Sequence, residues 1–146
     1  MTTPQLTDKI QELVDAIIEE MPVHKKVMDA AISRLTEEDV KLMDEYIDYC
    51  LKKDFGIPIL AESYLTIVQD TFNEQMYFKK HGKYRHSSFE DVAGDVYFDD
   101  DYMSRYMFGL ALTSFLWPNH VEIKKFFGRS LPADQSGKYL EIGPGH

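Results

Sequence analysis

Apolar residues recur three or four positions apart through most of this chain, and that spacing predicts helices. Leu6, Ile10, Leu13, Val14, Ile17, Ile18 and Met21 form one stripe, with Asp8, Lys9, Glu12, Asp15 and Glu19 opposite, so the first element is an amphipathic helix. Pro22 suits a first helical position, and Val23, Val27, Ala30, Ala31 and Leu35 continue the spacing into a second helix or a kinked continuation. Thr36 followed by Glu37, Glu38 and Asp39 reads as an N-cap with acidic residues at the positive end of the helix dipole. The third helix runs through Val40, Met43, Tyr46, Ile47 and Cys50 to Leu51.

Phe55-Gly56-Ile57-Pro58 interrupts the period, because glycine favours a chain reversal and proline removes a backbone donor. Leu60, Tyr64, Leu65, Val68, Phe72, Met76 and Phe78 then mark a long fourth helix. A loop from Gly82 leads to a short helix at Ser88 that ends near Gly94, and Asp99-Asp100-Asp101 offers caps for a sixth from Tyr102 to Trp117. Pro118 stops it, Asn119 is the expected cap of a last short helix, and Gly128 its expected end. Only Tyr139-Leu140-Glu141-Ile142 reads as a strand, after a polar linker.

Composition narrows the class. At 146 residues, with 44% hydrophobic and 28% charged side chains, the chain suits one folded globular unit. Its net charge of −9 disfavours a phosphate backbone as partner, and the basic run from Lys79 to His86 is loop-sized, so no nucleic acid is expected. The single Cys50 allows no intrachain disulfide, and its apolar helix face suggests an inert thiol. No stretch suits a membrane span and no leader pattern opens the chain, so the expected location is cytoplasmic. The five histidines have no partner at close helical spacing, so no metal is expected. Glu90, Asp91, Asp95, Asp99, Asp100 and Asp101 lack the oxygen pattern of a calcium loop and read as caps and solvated charge.

The tail carries the chemistry. A strand running into glycine-x-glycine lets the backbone approach a nucleotide cofactor, since no β-carbon blocks the turn. Glu141-Ile142-Gly143-Pro144-Gly145 resembles motif I of class I S-adenosylmethionine-dependent methyltransferases. The resemblance places Glu141 at the acidic position that orients the cofactor's amino group, and Gly143 and Gly145 at the first two glycines. The third glycine would fall just after His146.

The resemblance implies a mainly α fold. Residues 1–130 form a helical lid and substrate-binding domain, 131–137 a linker, and 138–146 the first strand and glycine turn of an incomplete Rossmann-like methyltransferase domain. It implies S-adenosylmethionine as cofactor, methyl transfer to an oxygen, nitrogen or carbon of a small molecule, and an N-terminal portion that is inactive alone. In such enzymes the region before the fold lines the cofactor and acceptor, which makes Tyr102 and Tyr106 candidate cofactor contacts through cation–π attraction. Aromatics at this spacing also serve as core. His120, beside Trp117 and Asn119, is a candidate general base, and a surface or capping role is open to it as well. Apolar surface that a sheet would cover suggests a homo-oligomer. The alternative is a stand-alone helical interaction or oligomerisation module whose exposed Met, Phe and Tyr side chains bind a partner.

Overall fold

The computed structural model describes residues 4–131, 134, 136–138 and 140, without the side chains of 95 and 96. The described elements are α1 (Asp8–Glu20), a 3-10 turn (Pro22–His24), α2 (Lys25–Ile32), α3 (Glu37–Leu51), α4 (Ile57–His81), a short α5 (Glu90–Val92) running into a π turn (Ala93–Tyr97), α6 (Asp100–Leu116) and α7 (Pro118–Ser130). No strand occurs among the described residues. The strand expected at Tyr139–Ile142 lies, apart from Leu140, outside them.

Local chemistry sets the helix ends. Thr7 accepts from the Ile10 amide to start α1. Thr36 and Asp39 form a reciprocal capping box at α3, each side chain accepting from the other residue's amide. Asp99 accepts from the Tyr102 amide at 2.9 Å to start α6. At the end of α4, Gly82 takes the left-handed conformation (φ 68°) that a side chain would oppose, and Lys79, Lys80 and His81 face the negative end of the dipole.

One core unites the elements. It joins Ile10, Leu13 and Ile17 of α1, Met28 of α2, Met43, Ile47 and Cys50 of α3, Leu60 and Tyr64 of α4, and Leu112 and Leu116 of α6. The most extensive packing is between α4 and α6. They approach closely at Gly109, where a β-carbon would lie 2.3 Å from the Ser63 carbonyl oxygen. Tyr46 donates to the Phe108 carbonyl at 2.9 Å, tying α3 to the same stretch of α6. Cys50 is buried, and burial pushes its thiol up, as suits an inert core residue.

Several expectations are corrected. Val23 and Val27 face solvent, and Met28 with Ala31 and Leu35 supply the buried positions, because the 3-10 turn rotates α2 out of register with α1. Phe72, Met76 and Phe78 are exposed. At 1.5 Å per residue the 25-residue α4 is about 37 Å long and the 17-residue α6 about 25 Å, so α4 outruns the helix it packs against most extensively. The segment after Ser88 passes through Gly94 as a π turn instead of ending there. Asn119 caps nothing: Trp117 is the cap position, Pro118 the first helical residue, and α7 continues past Gly128 to Ser130.

Candidate functional site

The N-terminal end of α6 carries the first pair of candidates. Asp99 sets the start of α6, and that start places Tyr102 and Tyr106 one turn apart with ring centroids 6.1 Å from each other and planes 20° apart. The Tyr102 hydroxyl donates to Asp70 Oδ2 of α4 at 3.0 Å. Burial first, and this carboxylate second, push Tyr102 up to about 12, so it stays a donor at neutral pH. Tyr106 lines a cleft of about 470 Å³ with Ile67, Asp70, Thr71, Glu74, Phe78 and Tyr84. The α4 wall escaped the sequence reading, although 67, 70, 71, 74 and 78 share one helix face whose mixed polarity was its signal.

His120 lies elsewhere. Its Nδ1 is 2.7 Å from Thr113 Oγ1, and the Thr113 hydroxyl donates to the Leu110 carbonyl at 2.6 Å. Thr113 therefore accepts from Nδ1–H, which leaves Nε2 of a neutral ring with the free lone pair a base requires. Yet Trp117, whose ring centre is 5.1 Å from that of His120, is eleven residues from Tyr106 on α6. That is about 16 Å along a helix, so the described residues do not gather His120 and the tyrosines into one site.

Next to His120 is a buried polar network that sequence reasoning missed. Tyr64 is fully buried, its hydroxyl accepts from Trp117 Nε1 at 3.2 Å, and it lies 3.0 Å from His24 Nε2. The roles in the His24 pair follow the tautomer: with Nε2 unprotonated, the phenol donates to it. Burial pushes Tyr64 up to about 12, against the opposing pull of the Trp117 donor, and burial lowers His24 below its ordinary value of 6.5. Forty residues separate His24 from Tyr64, so only the fold reveals the pair.

The lowered His24 has a pH consequence. Between 6.5 and the folded value the unfolded chain binds the proton more readily, so stability is full above 6.5 and falls as the pH drops through that window. Chemical denaturation at pH 7.5 and 5.5 is expected to show this loss, and His24→Gln should reduce it. An equal loss in both proteins would sever the link to His24.

A second polar anchor holds α7 to α3. Lys124 Nζ donates to the buried Asp39 at 3.1 Å while Asp39 also accepts from the Thr36 amide and hydroxyl. Burial pushes Asp39 up, but those hydrogen bonds and Lys124 together outweigh it and hold the carboxyl below its ordinary value.

Glu141, Gly143 and Gly145 lie outside the described residues. Among the described residues, no three His, Cys, Asp or Glu side chains are grouped to hold a metal ion, and no helix is long and apolar enough to cross a membrane. Compared with protein-family models, curated proteins and solved structures, the chain has no significant match.

Proposed function

We propose that this chain is the helical N-terminal region of a class I S-adenosylmethionine-dependent methyltransferase acting on a small molecule, with Glu141 to Gly145 as the start of its cofactor site. One observation carries the reading: the stretch Leu140-Glu141-Ile142-Gly143-Pro144-Gly145, with its resemblance to motif I, follows a helical region of more than a hundred residues. In this reading Gly143 and Gly145 let the backbone reach the cofactor and Glu141 holds its amino group.

The stacked Tyr102 and Tyr106 beside the Asp70 carboxylate support it, because electron-rich rings and a carboxylate suit a sulfonium cation. When bound, the cofactor supplies an electrophilic methyl group. The chain's own part is to orient the reactants and exclude water, with Nε2 of His120 available to take an acceptor proton if the complete fold brings it there.

The reading requires the natural coding sequence to continue past His146 with a glycine, a helix and a strand ending in Asp or Glu roughly twenty residues on. Calorimetry of the 146-residue chain with S-adenosylhomocysteine should give no saturable heat, and the continued polypeptide should bind one equivalent. Tight binding by the 146-residue chain, or a stop codon directly after His146, overturns it. The exposed Phe72, Met76, Ile123, Phe126 and Phe127 favour a second reading, a helical interaction module, and the stop codon is the outcome that selects it.

A further inference from the structure

The cleft between α4, the following loop and α6 has a charge balance that specifies its ligand. Two carboxylates, Asp70 and Glu74, line it one helical turn apart. Glu74 is neutralised by Arg85 Nε at 2.8 Å, and the Arg85 guanidinium lies over the Tyr77 ring, 4.4 Å from its centre. Arg85 is not among the residues lining the cleft. Asp70 differs. Its partner is the neutral Tyr102 hydroxyl, and among the described residues no cation pairs with it.

The cleft therefore carries one uncompensated negative charge. Phe78, Tyr84 and Tyr106 line the same cleft, with the Phe78 and Tyr84 rings 4.9 Å apart and tilted by 41°, and Tyr106 backed by Tyr102. Aromatic faces attract cations through their quadrupoles, and an alkylated onium group gains from both the faces and the apolar walls because it is poorly hydrated. The volume of about 470 Å³ falls within the range of small-molecule sites. A sugar could hydrogen-bond Asp70 but would not balance its charge, and an anion would be repelled by it.

We propose that this cleft binds a small organic cation, an alkylated ammonium or sulfonium group, with Asp70 as its counter-charge and Phe78, Tyr84 and Tyr106 as its walls. Its place in catalysis rests on the methyltransferase reading: the cation then belongs either to an ammonium-bearing acceptor or to the cofactor's sulfonium. Binding itself does not depend on that reading, because every residue involved lies within α4, its following loop and α6.

Two matched pairs of probes test it by nuclear magnetic resonance titration of the 146-residue chain. Choline is compared with its neutral isostere 3,3-dimethylbutan-1-ol, and S-adenosylmethionine with S-adenosylhomocysteine, which lacks the sulfonium charge. In at least one pair the cation should bind about tenfold more tightly and shift the ring resonances of Phe78, Tyr84 and Tyr106. A preference in the choline pair assigns the cleft to the substrate, and one confined to the sulfonium pair assigns it to the cofactor.

Asp70→Asn should remove most of the preference, whereas Glu74→Gln, already neutralised by Arg85, should change it less than threefold, on the order expected for an exposed pair. Tyr84→Ser, at an exposed position, supplies a variant that keeps the fold and is expected to weaken binding severalfold. Equal binding of cation and neutral isostere in both pairs overturns the proposal, and so does a preference that survives both Asp70→Asn and Tyr84→Ser. A choline preference combined with a stop codon after His146 would retain the cation site and discard the methyltransferase.

Discussion

Gly109→Ala is expected to destabilise the protein by about 2–3 kcal/mol, although alanine in a helix interior ordinarily gains about 1 kcal/mol over glycine. The reason is that the added carbon would meet backbone, not a movable side chain: the Ser63 carbonyl oxygen at 2.3 Å, its carbon at 2.6 Å and the Tyr64 nitrogen at 3.0 Å. Relief requires α4 and α6 to separate, which loosens the Leu60, Tyr64 and Leu112 contacts on either side. A fall in midpoint temperature of about 6–10 °C should follow, measured by circular dichroism.

Two comparisons isolate the cause. Gly128→Ala, in α7 where nothing lies within 4 Å of the new carbon, should be stabilising by about 0.5–1 kcal/mol. Ser63→Ala should be neutral or stabilising, since the buried Ser63 hydroxyl has no hydrogen-bond partner among the described residues and deleting it removes an unmet polar group. A neutral Gly109→Ala would mean that the helices yield at their crossing, and the packing account would fail.

This crossing shows where sequence reasoning stops. Periodicity located α1, α3, α4 and α6, and cap chemistry found Thr36 and narrowed the α6 cap to Asp99, Asp100 or Asp101, because both depend on residues within one or two turns. The period of α4 stayed apolar through Phe72, Met76 and Phe78, but period alone says which face is apolar, not whether another helix reaches it. Val23 and Val27 misled for a related reason: a three-residue 3-10 turn shifts the phase between two stripes without altering either composition. Among site residues, Tyr102 and Tyr106 were singled out from the sequence as aromatics one helical turn apart. Asp70 and Tyr84 were not, since they join the tyrosines only through the packing of α4, its loop and α6. The His24–Tyr64–Trp117 network spans 93 residues of chain, from 24 to 117, and has no local signature.

Tyr64→Ala should be the most damaging single truncation, costing about 3–5 kcal/mol, a third or more of the 5–15 kcal/mol typical of a whole domain. Tyr64 is the largest fully buried side chain among the described residues, and its hydroxyl meets Trp117 and His24. Tyr64→Phe separates those two contributions. It keeps the ring and deletes only the hydroxyl, and because His24 and Trp117 are both partly exposed, water can satisfy the groups left behind. The expected cost is therefore only about 1 kcal/mol. Trp117 is the single tryptophan, so its emission reports on this network directly. Tyr64→Phe should shift that emission, as the indole exchanges a fixed phenol for mobile water, while leaving helix content unchanged. If Tyr64→Phe instead matched Tyr64→Ala in cost, the hydroxyl rather than the ring would dominate, and the polar network would have to be far drier than its exposure implies. If both variants were nearly neutral, the core could not be organised around this residue.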